Sequence, residues 1–440
     1  MAVNNAIKIL IIFFSILILP GISLAESEIT IKLNNRVVFS DAAPFIEGGR
    51  VLVPLQVIGE AAGAEVKWNG QRATLTKEQI TIEVIPGSKV IWAGGRVFCL
   101  DVPARMKNGR LFVPLRFISE FLGGEVKFQN KTVEIKYPAS QEQEITLNFA
   151  GDTTLAWFFE EFVKDNFDYP FALFPSFKQA DITMLNLENP VTTRGKKVPK
   201  QFNFRMNPKY IQVLLKGGVD IVNLANNHVG DYGPQGILDT LNFLDAAGIK
   251  HVGAGENLKA ARNPVIFSLK QKKIGFLGYF GGKDYAATTS KPGTSPCYEQ
   301  YIIEDIKKLK QKADVVVVNF HWGVERAHYP EPYQIRLAHQ AIDAGADLII
   351  GHHPHVLQGI ERYKNGVIVY SLGNFIFGGN SRREHDTFVF QLIIKGEQKQ
   401  YALIPVRVKN WQPYWLDSEE GEGVISSIQI YSKYFPDSLL

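Results

Sequence analysis

Asp152, Glu188, Asn227, His228, His321, His353 and His355 are of the types that hold divalent cations and move protons. Each comes at or just after the end of a short apolar run: 145–149, 182–185, 220–224, 315–318 or 347–350. Taken singly they carry little. Asp152 alone reads as a helix cap or turn residue, Asn226-Asn227 as a turn, and His321 beside Trp322 as a packed core histidine. His352-His353-Pro354-His355 is different, because three imidazoles in four residues with a proline between two of them have no packing rationale. Carboxylate, amide and imidazole donors together suit Mn, Fe or Zn, and without nearby cysteines they do not suggest a structural zinc. Two such cations about 3.5–4 Å apart can activate a water and stabilise both the attacking and the leaving oxygen of a phosphoester. The expected cofactors are therefore two divalent metal ions.

For these residues to meet, the runs must be strands of one architecture. From residue 145 onward, β-rich runs of four to seven residues alternate with segments of helical spacing, the pattern of a parallel or mixed α/β sheet. Open α/β sheets place their sites beyond the carboxyl ends of the strands, where the loops converge. Gly253-Ala254-Gly255 has no GKS-type sequence beside it and is not read as a nucleotide loop. His251, His328, His339 and His385 lack a comparable setting and are read as surface or packing residues, with His328 and His385 as rim contacts. Glu325 is read either as a helper behind the ligands or as an exposed carboxylate.

Gly151-Asp152, Asn186-Leu187-Glu188, Ala225-Asn226-Asn227-His228, His321-Trp322-Gly323, the 351–355 cluster and Tyr370-Ser371-Leu372-Gly373-Asn374-Phe375 occur in that order. This series resembles the poly-γ-glutamate capsule biosynthesis family, a branch of the calcineurin-like metallophosphoesterases, over about residues 145–410. The resemblance implies a four-layer α/β/β/α sandwich. It also implies Asp152 and His355 as ligands of a first metal, Glu188 as the bridging carboxylate, and Asn227, His321 and His353 as ligands of a second. His228 falls where the superfamily has an imidazole that protonates the leaving group, and His352 where it would orient its neighbours. Asn227 would also help fix the geometry, and Arg205 would grip an anionic substrate. Two departures stand out. The first strand ends Asp152-Thr153-Thr154 where the broad superfamily has Asp-x-His, and Glu188 replaces the usual bridging Asp. The capsule branch shares both.

The first third of the chain is organised differently. Gly49-Arg50-Val51-Leu52-Val53-Pro54-Leu55 recurs as Gly109-Arg110-Leu111-Phe112-Val113-Pro114-Leu115, and Gly63-Ala64-Glu65-Val66-Lys67-Trp68 as Gly123-Gly124-Glu125-Val126-Lys127-Phe128, always at an offset of 60. That is a duplication. Each unit reads as short strands, a Val-Pro-Leu start of one helix, and a hairpin turning at Asn69-Gly70 or Gln129-Asn130. The units resemble the copper amine oxidase N-terminal-like stalk domain. Residues 26–140 contain no histidine, so a catalytic copper site is not expected there. The stalk implies a structural or cell-wall-contacting role.

Lys8 followed by an apolar run of about 11 residues, Pro20-Gly21 and Ser23-Leu24-Ala25 reads as a cleaved export signal in preference to a retained N-terminal anchor, since a spanning helix needs about 20, and on either reading the rest of the chain is exported. The expected organisation is a signal at 1–25, a small α+β stalk of two repeats at 26–137, a linker at 138–144, and the α/β domain at 145–440. The chain has 440 residues, 45% of them hydrophobic, which excludes a disordered chain. Forty-eight Lys and Arg against 44 Asp and Glu give +4, too little for a nucleic-acid partner. Cys99 and Cys297 are too few and too far apart for a disulfide scaffold and are read as buried thiols.

The expected function is an exported metal-dependent hydrolase acting on a phosphoester or related anionic bond in envelope polymer metabolism. The competing reading, from another class, is a non-catalytic envelope factor that binds an anionic polymer such as poly-γ-glutamate and supports its synthesis or export machinery.

Overall fold

The computed structural model describes residues 29–40, 42–137, 143–282, 284–377 and 384–440. The export-signal reading of residues 1–25 lies outside them, as does most of the expected linker.

Two sheets stacked face to face form the larger part of the molecule. In the first, Glu144–Thr154, Ile182–Leu187, Ile221–Asn223 and Lys250–Val252 run parallel, and Glu144–Thr154 pairs antiparallel with His385–Lys395, which pairs with Gln398–Lys409. The second has six strands, with Lys272–Phe280, Val315–His321, Leu348–His352 and Gly366–Val369 parallel at its centre. These strands are apolar on both faces, as sheets covered on both sides must be. Leu147, Phe149, Met184, Val315, Val317, Leu348 and Ile350 fill the space between the sheets. The alternate residues face outward: Leu185 and Leu187 toward the helices Ile211–Lys216 and Gly233–Ala247, and Val316, Val318 and Ile349 toward Glu299–Lys310 and Pro332–Ala344. The result is a four-layer α/β/β/α sandwich, with the smaller α+β domain at its side.

The duplication has become internal two-fold symmetry. Arg50–Pro54 and Arg110–Pro114 pair antiparallel with Val53 opposite Val113, so a residue and its repeat lie on the pseudo-axis. Each strand leads into a short helix, Leu55–Ala61 or Leu115–Phe121. The second repeat's hairpin turns at Asn130-Lys131, both with positive φ, which matches the two-residue turn that twisted hairpins favour. The first spans four residues, 69–72, where Asn69 Oδ1 accepts the amides of Gln71 and Arg72.

A linker is not the only thing joining the two domains. Arg96–Cys99 pairs with Gln398–Lys409, Val97 opposite Leu403 and Phe98 opposite Ala402, so the first sheet runs on into the N-terminal domain and reaches 13 strands. Arg96 donates to Gln391 Oε1 at 3.0 Å, and Gln391 donates to Asn148 Oδ1 at 2.9 Å, which ties the hairpin to the central strands. Cys99 and Cys297 are free and only partly buried, short of the full burial expected; desolvation pushes each thiol up to about 12.

Deleting residues 26–137 leaves the Ala402-Leu403 part of the Gln398–Lys409 edge unpaired, while Gln412–Trp415 still covers Val406–Lys409, and strips cover from Ile393 and Ala402. The truncated chain is expected to self-associate and to melt below the full chain, by light scattering and thermal denaturation. A monomeric fragment with an unchanged midpoint would show that the shared sheet contributes nothing.

Candidate metal centre

The strand ends converge because two glycines allow them to. Gly151 lies against the Gly373 carbonyl so closely that a methyl group there would stand 2.1 Å from its oxygen, and the next residue, Asp152, donates its amide to the same oxygen at 2.9 Å. Gly351 has the same relation to Tyr370, at 1.9 Å. Beyond Gly351 the chain enters left-handed backbone at His353 (φ 99°) and His355 (φ 58°), a conformation costing on the order of 1–3 kcal/mol per non-glycine residue. It sets the His353 ring against those of His321 and His355, while Asp152 Oδ2 accepts the His353 amide at 3.2 Å and lies 2.9 Å from His355 Nδ1.

Glu188 is held by its amide on Thr153 O at 2.8 Å, one residue past its strand. After Ile221–Asn223, Asn226 shapes the turn: its Oδ1 accepts the amides of His228 and Val229, and its Nδ2 donates to Leu187 O at 2.9 Å. This presents Asn227 to His321, with Asn227 Oδ1 2.8 Å from His321 Nε2. Asn186 ties the centre together, its Nδ2 lying 2.9 Å from Asp152 Oδ1, 3.3 Å from Glu188 Oε2 and 3.2 Å from His321 Nδ1.

Asp152, Glu188, Asn227, His321, His353 and His355 are thus brought together. Among the described residues two donor groups have all their ligand atoms within 4.8 Å of one another: Glu188, His353 and His355, and Asp152, Glu188 and His321. Glu188 is common to both. Asp152 and His355 are also neighbours, at 2.9 Å. Glu188 Oε1 is fully buried and has no hydrogen-bond partner. Around it stand the Nε2 atoms of His355 at 3.7 Å, His321 at 3.8 Å and His228 at 3.9 Å. These gaps are too long for hydrogen bonds, and those to His355 and His321 leave room for a cation between donor atoms, with His228 beside them. The residues fit a divalent metal.

The charges are arranged to the same end. Burial opposes ionisation of Asp152, but His352 and His355 outweigh it and hold the carboxyl well below its usual range. Burial pushes Glu188 well above the carboxylate range, against the pull of His355. Desolvation would lower His355, yet Glu188 and Asp152 raise it to about 9. Desolvation and then the His355 charge push His353 down to about 4, and burial takes His321 well below the ordinary imidazole value.

His228 does not sit alone. Its Nδ1 lies 2.7 Å from Asp231 Oδ2, which leaves Nε2 directed at the cluster, and burial lowers its basicity against the pull of Asp231. Lys200 Nζ reaches Asp231 Oδ1 at 2.5 Å, Asn227 O at 2.7 Å and His228 Nδ1 at 3.1 Å. Arg205 is exposed on the same loop, with its guanidinium over the Tyr232 ring at 4.5 Å. Lys200 is the cation whose contacts reach Asp231, Asn227 and His228. Lys200, Asp231, Asn186 and Asn374 were all missed. The His228-x-x-Asp231 spacing carried a signal, as did the motifs containing Asn186 and Asn374. His352 is buried, its Nδ1 3.5 Å from Asp152 Oδ1. Glu325 is exposed. His251, His328 and His339 are engaged elsewhere, while His385 lies 3.2 Å from Asn374 O, behind the asparagine that faces His355.

Residues 146–379 match the family described as bacterial capsule synthesis protein PGA_cap, and residues 32–137 match the copper amine oxidase N-terminal domain. The capsule biosynthesis protein CapA of Bacillus anthracis is 33% identical over 286 residues, covering 62% of this chain and 70% of that protein. The PGA biosynthesis protein CapA of Bacillus subtilis (strain 168) is 34% identical over 299 residues, covering 66% and 77%. Among solved structures, a putative 5'-nucleotidase from Staphylococcus aureus in complex with alpha-ketoglutarate aligns with a TM-score of 0.39 at 14% identity, covering 66% of this chain and 59% of that one.

Two substitutions test the construction of the centre. Gly351→Ala should cost about 1–3 kcal/mol in denaturant unfolding as the strand is forced off Tyr370, and should lower metal content with it. Asp231→Ala, which leaves every donor in place but frees the His228 ring, should cost about 10–100-fold in activity with metal retained. Full activity in Asp231→Ala would show that the pair does not orient the imidazole.

Proposed function

The chain belongs to the bacterial capsule synthesis protein family, and from that premise we propose that it is an exported metal-dependent phosphoesterase-type enzyme of capsule polymer synthesis. The observation that carries the reading is Glu188 Oε1, a buried carboxylate oxygen with no hydrogen-bond partner and three imidazole nitrogens around it. A carboxylate in that setting is costly unless cations compensate it.

Asp152, Glu188, Asn227, His321, His353 and His355 would hold two divalent ions, Mn, Fe or Zn by donor chemistry. When bound, such a pair supplies Lewis-acid stabilisation of an anionic transition state and acidifies the attacking water. The protein's own groups do the rest. Asp231 keeps a proton on His228 Nδ1, so that Nε2 is the atom that exchanges a proton with the leaving oxygen. Lys200 steadies Asp231 and the carbonyl of Asn227, and so fixes where both Asn227 and His228 stand. The substrate class is a phosphoester or related anionic group of an envelope polymer, handled beside polyglutamate synthesis or export machinery, with the N-terminal domain toward the cell wall. Among the described residues no helix is long and apolar enough to cross a membrane.

A second reading has one observation in its favour: the strand end Asp152-Thr153-Thr154 supplies no imidazole to the first metal. On that reading the protein binds an anionic polymer and does not turn it over. Element analysis of the purified protein, with turnover of an aryl phosphate, decides between the two. The enzyme reading expects about two equivalents of metal, loss of metal and activity in Asp152→Asn, and in His228→Ala retained metal with a turnover loss of about 10²–10⁴-fold. Metal without turnover selects the binding role, and absence of metal defeats the enzyme.

A further inference from the structure

His228, the imidazole that serves the leaving oxygen, stands against a series of aromatic rings that leads out to solvent. The Phe204 ring packs on His228 with centroids 4.2 Å apart, and Phe377 joins Phe204 at 5.6 Å and His355 at 4.9 Å. With Ala156 these two phenylalanines form a small buried cluster of their own. The next ring out is Trp157, 4.6 Å from Phe204, and beyond it comes Phe202 at 6.0 Å. Trp157 is 39% exposed and Phe202 51%.

Two features set Trp157 apart from a stray surface aromatic. It joins strand Glu144–Thr154 to the helix Phe158–Val163 with φ 58° and ψ −127°, a backbone region that glycine occupies and a β-carbon resists. Strain of that kind persists only where its surroundings enforce it, and it gathers at binding sites. Its Nε1 donates to Asn203 O at 3.0 Å, so the one polar atom of the indole is engaged within the protein and only apolar ring is left for a ligand. We propose that Trp157 and Phe202 are specificity-determining residues that form the subsite for the leaving group, and that this group is a sugar ring, the substrate being a sugar phosphate. The proposal rests on the phosphoesterase-type reading. A leaving oxygen served by His228 Nε2 brings its own carbon skeleton beside that imidazole, and the platform begins one ring away. In the hydrolysis the P–O bond breaks, the phosphoryl group passes to water, and the sugar oxygen takes the proton from His228. A chain of linked glutamates has no ring to lay on an indole, so the substrate of this site is set apart from such a polymer. Trp157 and Phe202 are inclined at 54°, an open angle that receives one C–H face and leaves the other side in water, whereas a flat base is best gripped between parallel rings. The segment that carries Phe202 also holds Arg194, Lys196, Lys197, Lys200 and Arg205 with no acidic residue among them, which draws an anionic ester to the platform.

Turnover of glucose 1-phosphate, glycerol 3-phosphate and uridine 5'-monophosphate by the purified, metal-loaded full chain tests this. The wild-type kcat/KM should favour glucose 1-phosphate over the acyclic glycerol 3-phosphate by about tenfold. Trp157→Ala should bring that ratio toward one, chiefly through KM, and Trp157→Phe should keep most of it. Trp157→Gly suits the positive φ, so it should melt no lower than Trp157→Ala while losing the same preference, which separates ligand contact from a role in folding. A wild type that treats the two esters alike overturns the proposal, and so does a Trp157→Ala variant that keeps the preference. Preference for uridine 5'-monophosphate that depends on Trp157 overturns the sugar assignment and gives the platform to a base. If none of the three is turned over, the phosphoesterase reading falls, and calorimetric binding of the same compounds decides the subsite: a ring preference lost in Trp157→Ala upholds it, and equal binding overturns it.

Discussion

A carboxylate buried to the last square ångström is a liability unless something positive sits beside it, and the larger domain is organised around one such group. Glu188 has one oxygen near the Asn186 amide and the other facing three imidazoles at distances that are not hydrogen bonds. The surrounding elements make that situation tolerable. The six donors come from the ends of five strands, so the centre forms only when both sheets are in register. The donors therefore report on the whole fold, and a shift of one strand by one residue would turn its side chain to the opposite face.

Tolerance for strain follows from this. Asn226 spends its side chain on the turn that carries Asn227, and the His353–His355 loop holds two left-handed residues that relax only if the loop moves. Gly151 and Gly351 bring backbone against backbone where any side chain would intrude. Such features have a rationale as positioning devices: they put donor atoms where cations can compensate charge, and the sheets are rigid enough to hold them there. The Lys200–Asp231–His228 group works the same way at the rim, with a lysine and a carboxylate setting one imidazole ring.

Much of this was legible in the sequence because strands buried on both faces leave a plain signal. Apolar runs ending in Asp, Glu, Asn-His, His or His-x-His can only be delivered to one edge of a parallel arrangement, and the motifs stand in chain order. Partners within the cluster were harder to see. Asn186 and Asn374 look like ordinary strand and turn residues until neighbouring strands bring them against Asp152 and His355. Finding Lys200 depends on which side of one loop faces inward, and spacing does not encode that.

The duplication was visible as an offset of 60, yet its consequence was not. Two like units folded together should give a two-fold object with two like edges, and the core around Val53 and Val113 is such an object. Symmetry survives where the repeats face each other and fails where one faces the rest of the chain. An additional strand, Ile80–Val84, lies between the first repeat's hairpin and Val90–Ala93, setting the hairpin of Val90–Ala93 and Arg96–Cys99 one place further out, where Gln398–Lys409 meets it. No residue pattern announces this, because Arg96-Val97 and Arg36-Val37 are alike in sequence and differ only in what lies beside them. Exposure recovers what the pattern hides: of two like dipeptides, one is covered by the larger domain and the other stands in water.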